Sequence, residues 1–130
     1  MLSRESIESV LRQMNEAENS RPQSTVEETI ARIDAVMAGD VQGWANGVHV
    51  PNRAAERDRE RVIFGRMADY HREFDLMLVD PPRACVRWTV RGTVQGMEIV
   101  ASAVSILELN EDGLVRRYWM HFDPAAFVPR

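Results

Sequence analysis

Residues 86–109 read VRWTVRGTVQGMEIVASAVSILEL, and this stretch decides the fold. From Val86 to Val94, apolar side chains alternate with arginine and threonine, a period of two that is typical of a strand with one buried face. Gln95-Gly96 predicts a turn, after which Glu98–Leu109 is apolar or small on both faces. Such a strand is expected in the middle of a sheet that is covered on both sides.

The next strand is predicted at Leu114–Asp123, after a turn at Asn110–Gly113. Its last six residues read Tyr-Trp-Met-His-Phe-Asp (118–123). A core strand seldom gathers aromatic rings, an imidazole and a carboxylate in so short a run. We therefore expect this strand to line a small-molecule pocket or a subunit interface.

Two helices are predicted near the N-terminus. The first begins at Ser3, an N-cap residue, and is broken before Pro22. In the second, Ser24 and Thr25 each precede a glutamate by three residues, which is the capping-box pattern. Gly39 is expected to end this second helix.

The third helix is predicted from Arg53 to Phe74. Charges of opposite sign alternate over Arg53–Arg61, which predicts a solvated, self-paired helix face. The second half carries an apolar stripe that includes Met67 and Tyr70. A short strand is expected at Asp75–Val79, before a proline turn.

Helices followed by an antiparallel meander predict an α+β domain with the helices on one face of the sheet. The chain has 130 residues, of which 45% are hydrophobic. These values suit one domain over residues 1–130, with residues 1–22 forming the first helix and its connection.

The composition argues against several functional classes. The net charge is -4, so no basic field attracts nucleic acid. All 16 basic residues are arginine, and without lysine neither Schiff-base chemistry nor a lysine-anchored pyridoxal cofactor is available. Cys85 lies between apolar neighbours and is expected to be inert. No stretch suits a signal peptide or a membrane span, so we expect a cytoplasmic protein.

Three stretches carry a family resemblance: residues 86–93 (VRWTVRGT), 107–115 (LELNEDGLV) and 118–124 (YWMHFDP). With the helices before them, they resemble the nuclear-transport-factor-2-like superfamily and, within it, the SnoaL-like group, over about Val26–Phe127. The resemblance implies a cone-shaped, curved antiparallel sheet with three N-terminal helices packed on its concave face around an apolar cavity.

The superfamily includes polyketide cyclases, steroid isomerases, epoxide hydrolases, dehydratases and modules without catalysis, and a shared fold does not choose among them. The isomerase and epoxide-hydrolase types place carboxylates on the last two long strands. Here Ile99–Ile106 has none, and Met120 stands where the epoxide-hydrolase type has its carboxylate. The cyclase type uses an acid and a histidine near the final strand, so His121 with Asp123 leaves that chemistry open.

His121, Asp123 and Tyr70 are the candidate catalytic residues. An imidazole can move a proton at cellular pH, and the alternative for His121 is packing at a dimer interface or in the core. Asp123 precedes Pro124, so its carboxylate could instead cap a short turn. Tyr70 shares the apolar stripe of the third helix and could orient or polarise a ligand.

The candidate pocket-lining residues are large or polar side chains from three regions: Trp44, His49, Met67, Trp88, Tyr118, Trp119 and Met120. Because side chains alternate along a strand, Tyr118 and Met120 lie opposite Trp119 and His121. The sequence leaves open which of these faces lines the cavity. Core packing is the alternative for Trp88 and Trp119, and a turn with a helix cap is the alternative for the stretch around His49.

We expect a protein that binds a small apolar ring compound, with a cofactor-free cyclase, isomerase or dehydratase reaction if it is an enzyme. No metal is expected, because no two of His49, His71 and His121 have the close spacing that preorganises ligands. A homodimer across the exposed sheet face is expected. The alternative is a non-catalytic ligand-binding or dimerisation module whose cavity is filled by its own side chains.

Overall fold

A computed structural model of the protein describes residues 2–128. Three helices pack on the concave face of a curved six-stranded sheet, as the resemblance implies. The elements are α1 (Arg4–Asn19), α2 (Val26–Asp34), β1 (Met37–Ala45), β2 (Val48–Val50), α3 (Arg53–Arg66), β3 (His71–Asp80), β4 (Arg83–Val94), β5 (Met97–Leu109) and β6 (Val115–Phe122), with short 3-10 turns at Arg21–Gln23 and Pro124–Phe127.

The strand order is β2-β1-β6-β5-β4-β3. Strands β3 to β6 form the predicted antiparallel meander, and β2 pairs antiparallel with β1. Strand β1 runs parallel to β6, so the sheet is mixed, whereas the sequence predicted an antiparallel sheet. This parallel pair brings Gly43 opposite Tyr118 and encloses one side of the concave face.

Local side-chain bonds begin each helix as the sequence predicts. The Ser3 hydroxyl accepts from the backbone N–H of Ser6 at the start of α1. At α2, the Thr25 hydroxyl accepts from the Glu28 N–H, and the Glu28 carboxylate accepts from the Thr25 N–H. Each such cap stabilises its helix by about 1 kcal/mol. Of the two predicted boxes, the structure uses the one at Thr25.

Two predicted helix ends are wrong. Helix α2 ends at Asp34, and Gly39 lies within β1, because the chain from Met37 onward pairs with β6. Helix α3 ends at Arg66, and Phe74 lies in β3 opposite Trp88. In both places, pairing with a neighbouring strand outweighs the helical spacing of the local sequence.

The two faces of the sheet differ in burial. Inward side chains of β4 and β5 are buried, among them Val86, Val90 and Leu107. On the outer face of β5, Val100, Val104 and Ile106 remain 38–46% exposed. Within a single chain, β5 is therefore covered on its inner face only, whereas the sequence predicted cover on both faces.

Candidate functional site

A cavity of about 380 Å³ lies between the helices and the concave face of the sheet. Its walls are mainly apolar, and a volume of this order suits a small ligand. The apolar lining comes from α1, α2 and α3 on one side and from the sheet on the other, and includes Met14, Ile33, Phe64, Val86, Val90, Leu107, Val115 and Met120.

Four charged residues of helix α3 line this cavity: Glu56, Arg59 and Glu60 in its interior, and the exposed Arg66. The three interior residues share a helix face, since residues three and four apart are neighbours on a helix. Glu56 and Glu60 are only 3% and 4% exposed. The prediction of a solvated, self-paired face is therefore wrong on this side of α3, although Arg61 and Asp58 do form an ion pair on the exposed side.

Glu56 is held by two partners. Its carboxylate accepts two hydrogen bonds from the Arg59 guanidinium, at 2.9 and 3.3 Å, and another from the hydroxyl of Tyr118. Burial raises the pKa of Tyr118, so the phenol keeps its proton and acts as a donor. The Glu56 carboxylate is thus paired with the Arg59 guanidinium and hydrogen-bonded to Tyr118.

Glu60 has no such support. Its Oε1 atom is buried and has no hydrogen-bond partner among the described residues. Burial, reinforced by the negative charge of Glu56, raises the pKa of Glu60 from 4.5 to about 9. Glu60 is therefore a neutral carboxylic acid at pH 7 that faces the cavity with an unused polar group.

A second polar cluster lies between α1 and the start of β3. The Tyr70 hydroxyl donates to Glu18 at 2.5 Å, and Arg72 pairs with the same carboxylate at 2.7 Å. The Arg72 guanidinium also donates to the side chain of Asn15 at 2.8 Å. Burial raises the pKa of Tyr70, with the charge of Glu18 adding to the effect. Tyr70 and Arg72 are thus fixed by α1.

The sheet contributes one polar pair to the cavity wall. The Trp88 indole N–H donates to the hydroxyl oxygen of Ser105 at 2.9 Å, and both residues are buried. This bond orients the indole on β4 against the neighbouring strand β5. It also places the Ser105 hydroxyl at the cavity.

Five of the predicted site residues line the cavity: Met67, Tyr70, Trp88, Tyr118 and Met120. Trp44, His49 and Trp119 do not, which corrects their expected position. Their rings stack on the outer face of the sheet, with centroid distances of 4.9 Å between Trp44 and His49 and 5.5 Å between Trp44 and Trp119. The reason is the period of two: Tyr118 and Met120 point inward, so Trp119 points outward.

His121 and Asp123 also lie outside the cavity. His121 is exposed on the outer face, opposite Val104 of β5. Asp123 accepts a hydrogen bond from the N–H of Ala125 at 3.0 Å and caps the short turn at Pro124–Phe127, which was its alternative role. The geometry gives neither residue a place in the cavity chemistry.

Sequence reasoning missed Glu56, Arg59, Glu60 and Arg72. One signal was present: Glu56, Glu60 and Phe64 recur every four residues, so the buried Phe64 ring shares a face with both carboxylates. Arg72 carried no comparable signal, because its neighbours were predicted to be helical.

A model of the SnoaL-like domain matches residues 11–118. The chain belongs to the SnoaL-like domain family. The resemblance drawn from the strand motifs is confirmed, while no curated protein matches the chain.

Solved structures share the SnoaL-like fold at low identity. AclR of Streptomyces galilaeus, a proposed hydroxylase, has a TM-score of 0.80 and 17% identity, covering 93% of this chain and 91% of its own. A proposed SnoaL-like polyketide cyclase from Jannaschia sp. CCS1 has a TM-score of 0.79 and 12% identity, covering 97% and 92%. An NTF2-like protein of unknown function from Exiguobacterium sp. 255-15 has a TM-score of 0.76 and 16% identity, covering 88% and 98%. At these identities the likeness is one of fold.

None of the described helices has the length and apolar character needed to cross a membrane. Within residues 2–128, no group of three or more histidine, cysteine, aspartate or glutamate side chains is arranged to hold a metal ion.

Proposed function

We propose that this SnoaL-like protein binds a small, largely apolar ring compound in the cavity and performs cofactor-free acid/base chemistry on it. The observation that carries the proposal is Glu60, a buried carboxyl group that faces an apolar cavity without a partner. Buried polar groups are nearly always hydrogen-bonded, so an unused one in a cavity indicates a ligand.

Glu60 supplies the proton in the proposed chemistry. A neutral carboxylic acid with a pKa of about 9 can donate to a carbonyl or hydroxyl oxygen near neutral pH. Glu56 lies one helical turn away and is paired with Arg59 and Tyr118, so the two carboxyl groups of α3 have different environments, as in acid/base pairs. Cyclisation, isomerisation and dehydration all use such a proton transfer, and a cyclase activity is proposed for the Jannaschia relative.

The alternative is a ligand-binding or dimerisation module without catalysis. A cavity plugged by Trp88, Trp119 and Met120 would favour it. The cavity is open instead: Trp88 and Met120 line it, and Trp119 lies on the outer face. An open cavity with Glu60 and Tyr118 on its walls supports a bound ligand.

We also propose that the outer sheet face pairs with a second copy of this chain. One row of side chains crosses all six strands there: Leu78, Cys85, Ile106, Trp119, Trp44 and His49. The next row, on β4, β5 and β6, holds Arg83, Glu108 and Arg117, and Glu108 lies within 4 Å of both arginines. An apolar row beside a balanced charged row suits a self-complementary contact.

A ligand screen tests the cavity proposal. Ring compounds are added to the wild type and to Glu60→Gln, and the shift in melting temperature is measured, followed by product analysis for every compound that binds. We expect stabilisation of the wild type and loss of turnover in Glu60→Gln. If Glu60→Gln still converts the compound, Glu60 is not the proton donor. If no compound stabilises the wild type, the proposal of a ring-compound ligand fails.

Measuring the molecular mass in solution by light scattering tests whether two copies of the chain pair through this face. Ile106→Glu puts a charge in the apolar row and is expected to yield monomers. Val48→Glu is the matched control, since Val48 is 69% exposed and lies opposite Ala45 on the other face of the sheet. Equal masses for both variants and the wild type would contradict the proposed interface.

A further inference from the structure

The Glu56 and Glu18 carboxylates of the cavity are already occupied as hydrogen-bond acceptors. Glu56 is occupied by Arg59 and Tyr118, and Glu18 is occupied by Tyr70 and Arg72. A ligand donor would have to displace one of these internal bonds. The carboxylates of Glu56 and Glu18 therefore offer a ligand no readily available hydrogen-bond acceptor.

Besides the guanidinium groups of Arg59, Arg66 and Arg72, two neutral donors lie on opposite walls. On α3, neutral Glu60 carries a proton for which the described residues provide no acceptor. On β5, the Ser105 oxygen accepts from Trp88, and the hydroxyl hydrogen is left to point elsewhere. Ser105 is 8% exposed and lines the cavity, so its hydroxyl can donate a hydrogen bond to a ligand there.

The charges of the buried lining residues cancel. Arg59 neutralises Glu56, and Arg72 neutralises Glu18. A carboxylate ligand would find both of these guanidinium groups already paired, and Arg66, the third arginine of the lining, is exposed rather than buried in the interior. An ammonium ligand would require Glu60 to ionise beside the negative Glu56, which burial and like charge oppose.

We infer that the natural ligand is a neutral ring compound with two carbonyl oxygens, one accepting from Glu60 and the other from Ser105. The inference rests on the proposed ligand cavity and adds the charge and the polar pattern of the ligand. Ser105 becomes a specificity residue, because its hydroxyl would distinguish a dicarbonyl ring from a monocarbonyl one. Glu60 sets the pH range over which such a ligand binds.

The groups that govern the ionisation of Glu60 come from four elements. Glu56 and Arg59 lie on the same helix, with Glu18 reaching it from α1 and Asp34 from the end of α2. Tyr118 of β6 donates to Glu56 and stays protonated. Burial is the largest effect that favours the protonated form of Glu60, the charges of Glu56, Glu18 and Asp34 add to it, and Arg59 opposes it.

The test uses one ring scaffold in five forms: hydrocarbon, monoketone, diketone, carboxylate and ammonium. Affinities are measured by calorimetry at pH 7 on the wild type. We expect the diketone to bind best and the carboxylate and ammonium forms to bind up to about tenfold more weakly for each hydrogen bond they fail to make. Best binding by the ammonium or the carboxylate form would overturn the inference while leaving a ligand cavity in place. No binding by any form would overturn the proposed function itself.

Two variants separate the roles of the donors. Ser105→Ala should weaken the diketone more than the monoketone, whereas a purely structural effect through Trp88 would weaken both equally and would overturn the role of Ser105. Diketone binding to the wild type should decline between pH 8 and 10, as Glu60 loses its proton. Glu60→Gln keeps an N–H donor at all pH values and should abolish that decline. A decline that persists in Glu60→Gln would overturn the role of Glu60.

Discussion

The hydroxyl of Tyr118 donates a hydrogen bond to the carboxylate of Glu56, 62 residues away in sequence. The bond joins the last strand to α3 across the cavity, and both residues are buried. Arg59 completes the arrangement by pairing with the same carboxylate and by lying 5.9 Å from the centre of the Tyr118 ring. This contact holds α3 against the sheet at the polar end of the site.

Tyr118→Phe removes the donor and leaves the buried Glu56 charge with Arg59 alone. We expect the free energy of unfolding to fall by about 1–3 kcal/mol, the cost of an unsatisfied buried charged group. Urea denaturation measures the loss. In a Glu56→Gln background the same substitution should cost less, because the group that accepts from the phenol is then a neutral amide rather than a carboxylate. An equal cost in both backgrounds would show that the phenol acts through packing only.

Gly43 is required by Tyr118. The two residues are partners across β1 and β6, and a methyl group on Gly43 would overlap the Tyr118 ring. Gly43→Ala should therefore displace the ring and destabilise the fold by about 1–3 kcal/mol, the usual cost of overpacking. Gly39→Ala is the matched control in the same strand, since nothing lies within 4 Å of its added methyl group. Thermal denaturation compares the two, and equal melting temperatures would contradict the close contact.

The sequence predicts the parts of this fold that local chemistry decides. The Thr25 cap and the alternation of β4 follow from side-chain spacing and are observed. The helical spacing that included Phe74 fails because that residue pairs with Trp88, a contact that only the folded chain supplies. Glu60 was missed for a related reason: a charged residue in an alternating run is normally solvated, and here the sheet buries it. The inward face of β6 was likewise undecidable from a period of two alone.

His121 provides a direct test of the sheet orientation. Because its side chain is exposed on the outer face, His121→Ala should leave ligand binding unchanged and alter stability by no more than about 0.5 kcal/mol. The neighbouring Met120 points into the cavity and is 8% exposed. Met120→Ala should therefore cost about 2–5 kcal/mol and alter ligand binding. If His121→Ala instead abolished binding, the assignment of the inner face would be wrong.

Glu60 makes stability depend on pH in a defined direction. Its pKa is 4.5 when unfolded and about 9 when folded, so between these values the folded chain binds one proton more than the unfolded chain. The contribution of Glu60 to stability is therefore greatest below about pH 4.5 and declines as the pH rises, by at most about 1.4 kcal/mol per unit, until it levels off above about 9. Glu60→Gln removes this dependence. In urea denaturation, we expect the free energy of unfolding of the variant to rise steadily relative to that of the wild type from pH 5 to 9. All other titrating groups are shared by the two proteins. A difference that stays constant over that range would mean that Glu60 is ionised in the folded protein, and the acid role proposed for it would then fail.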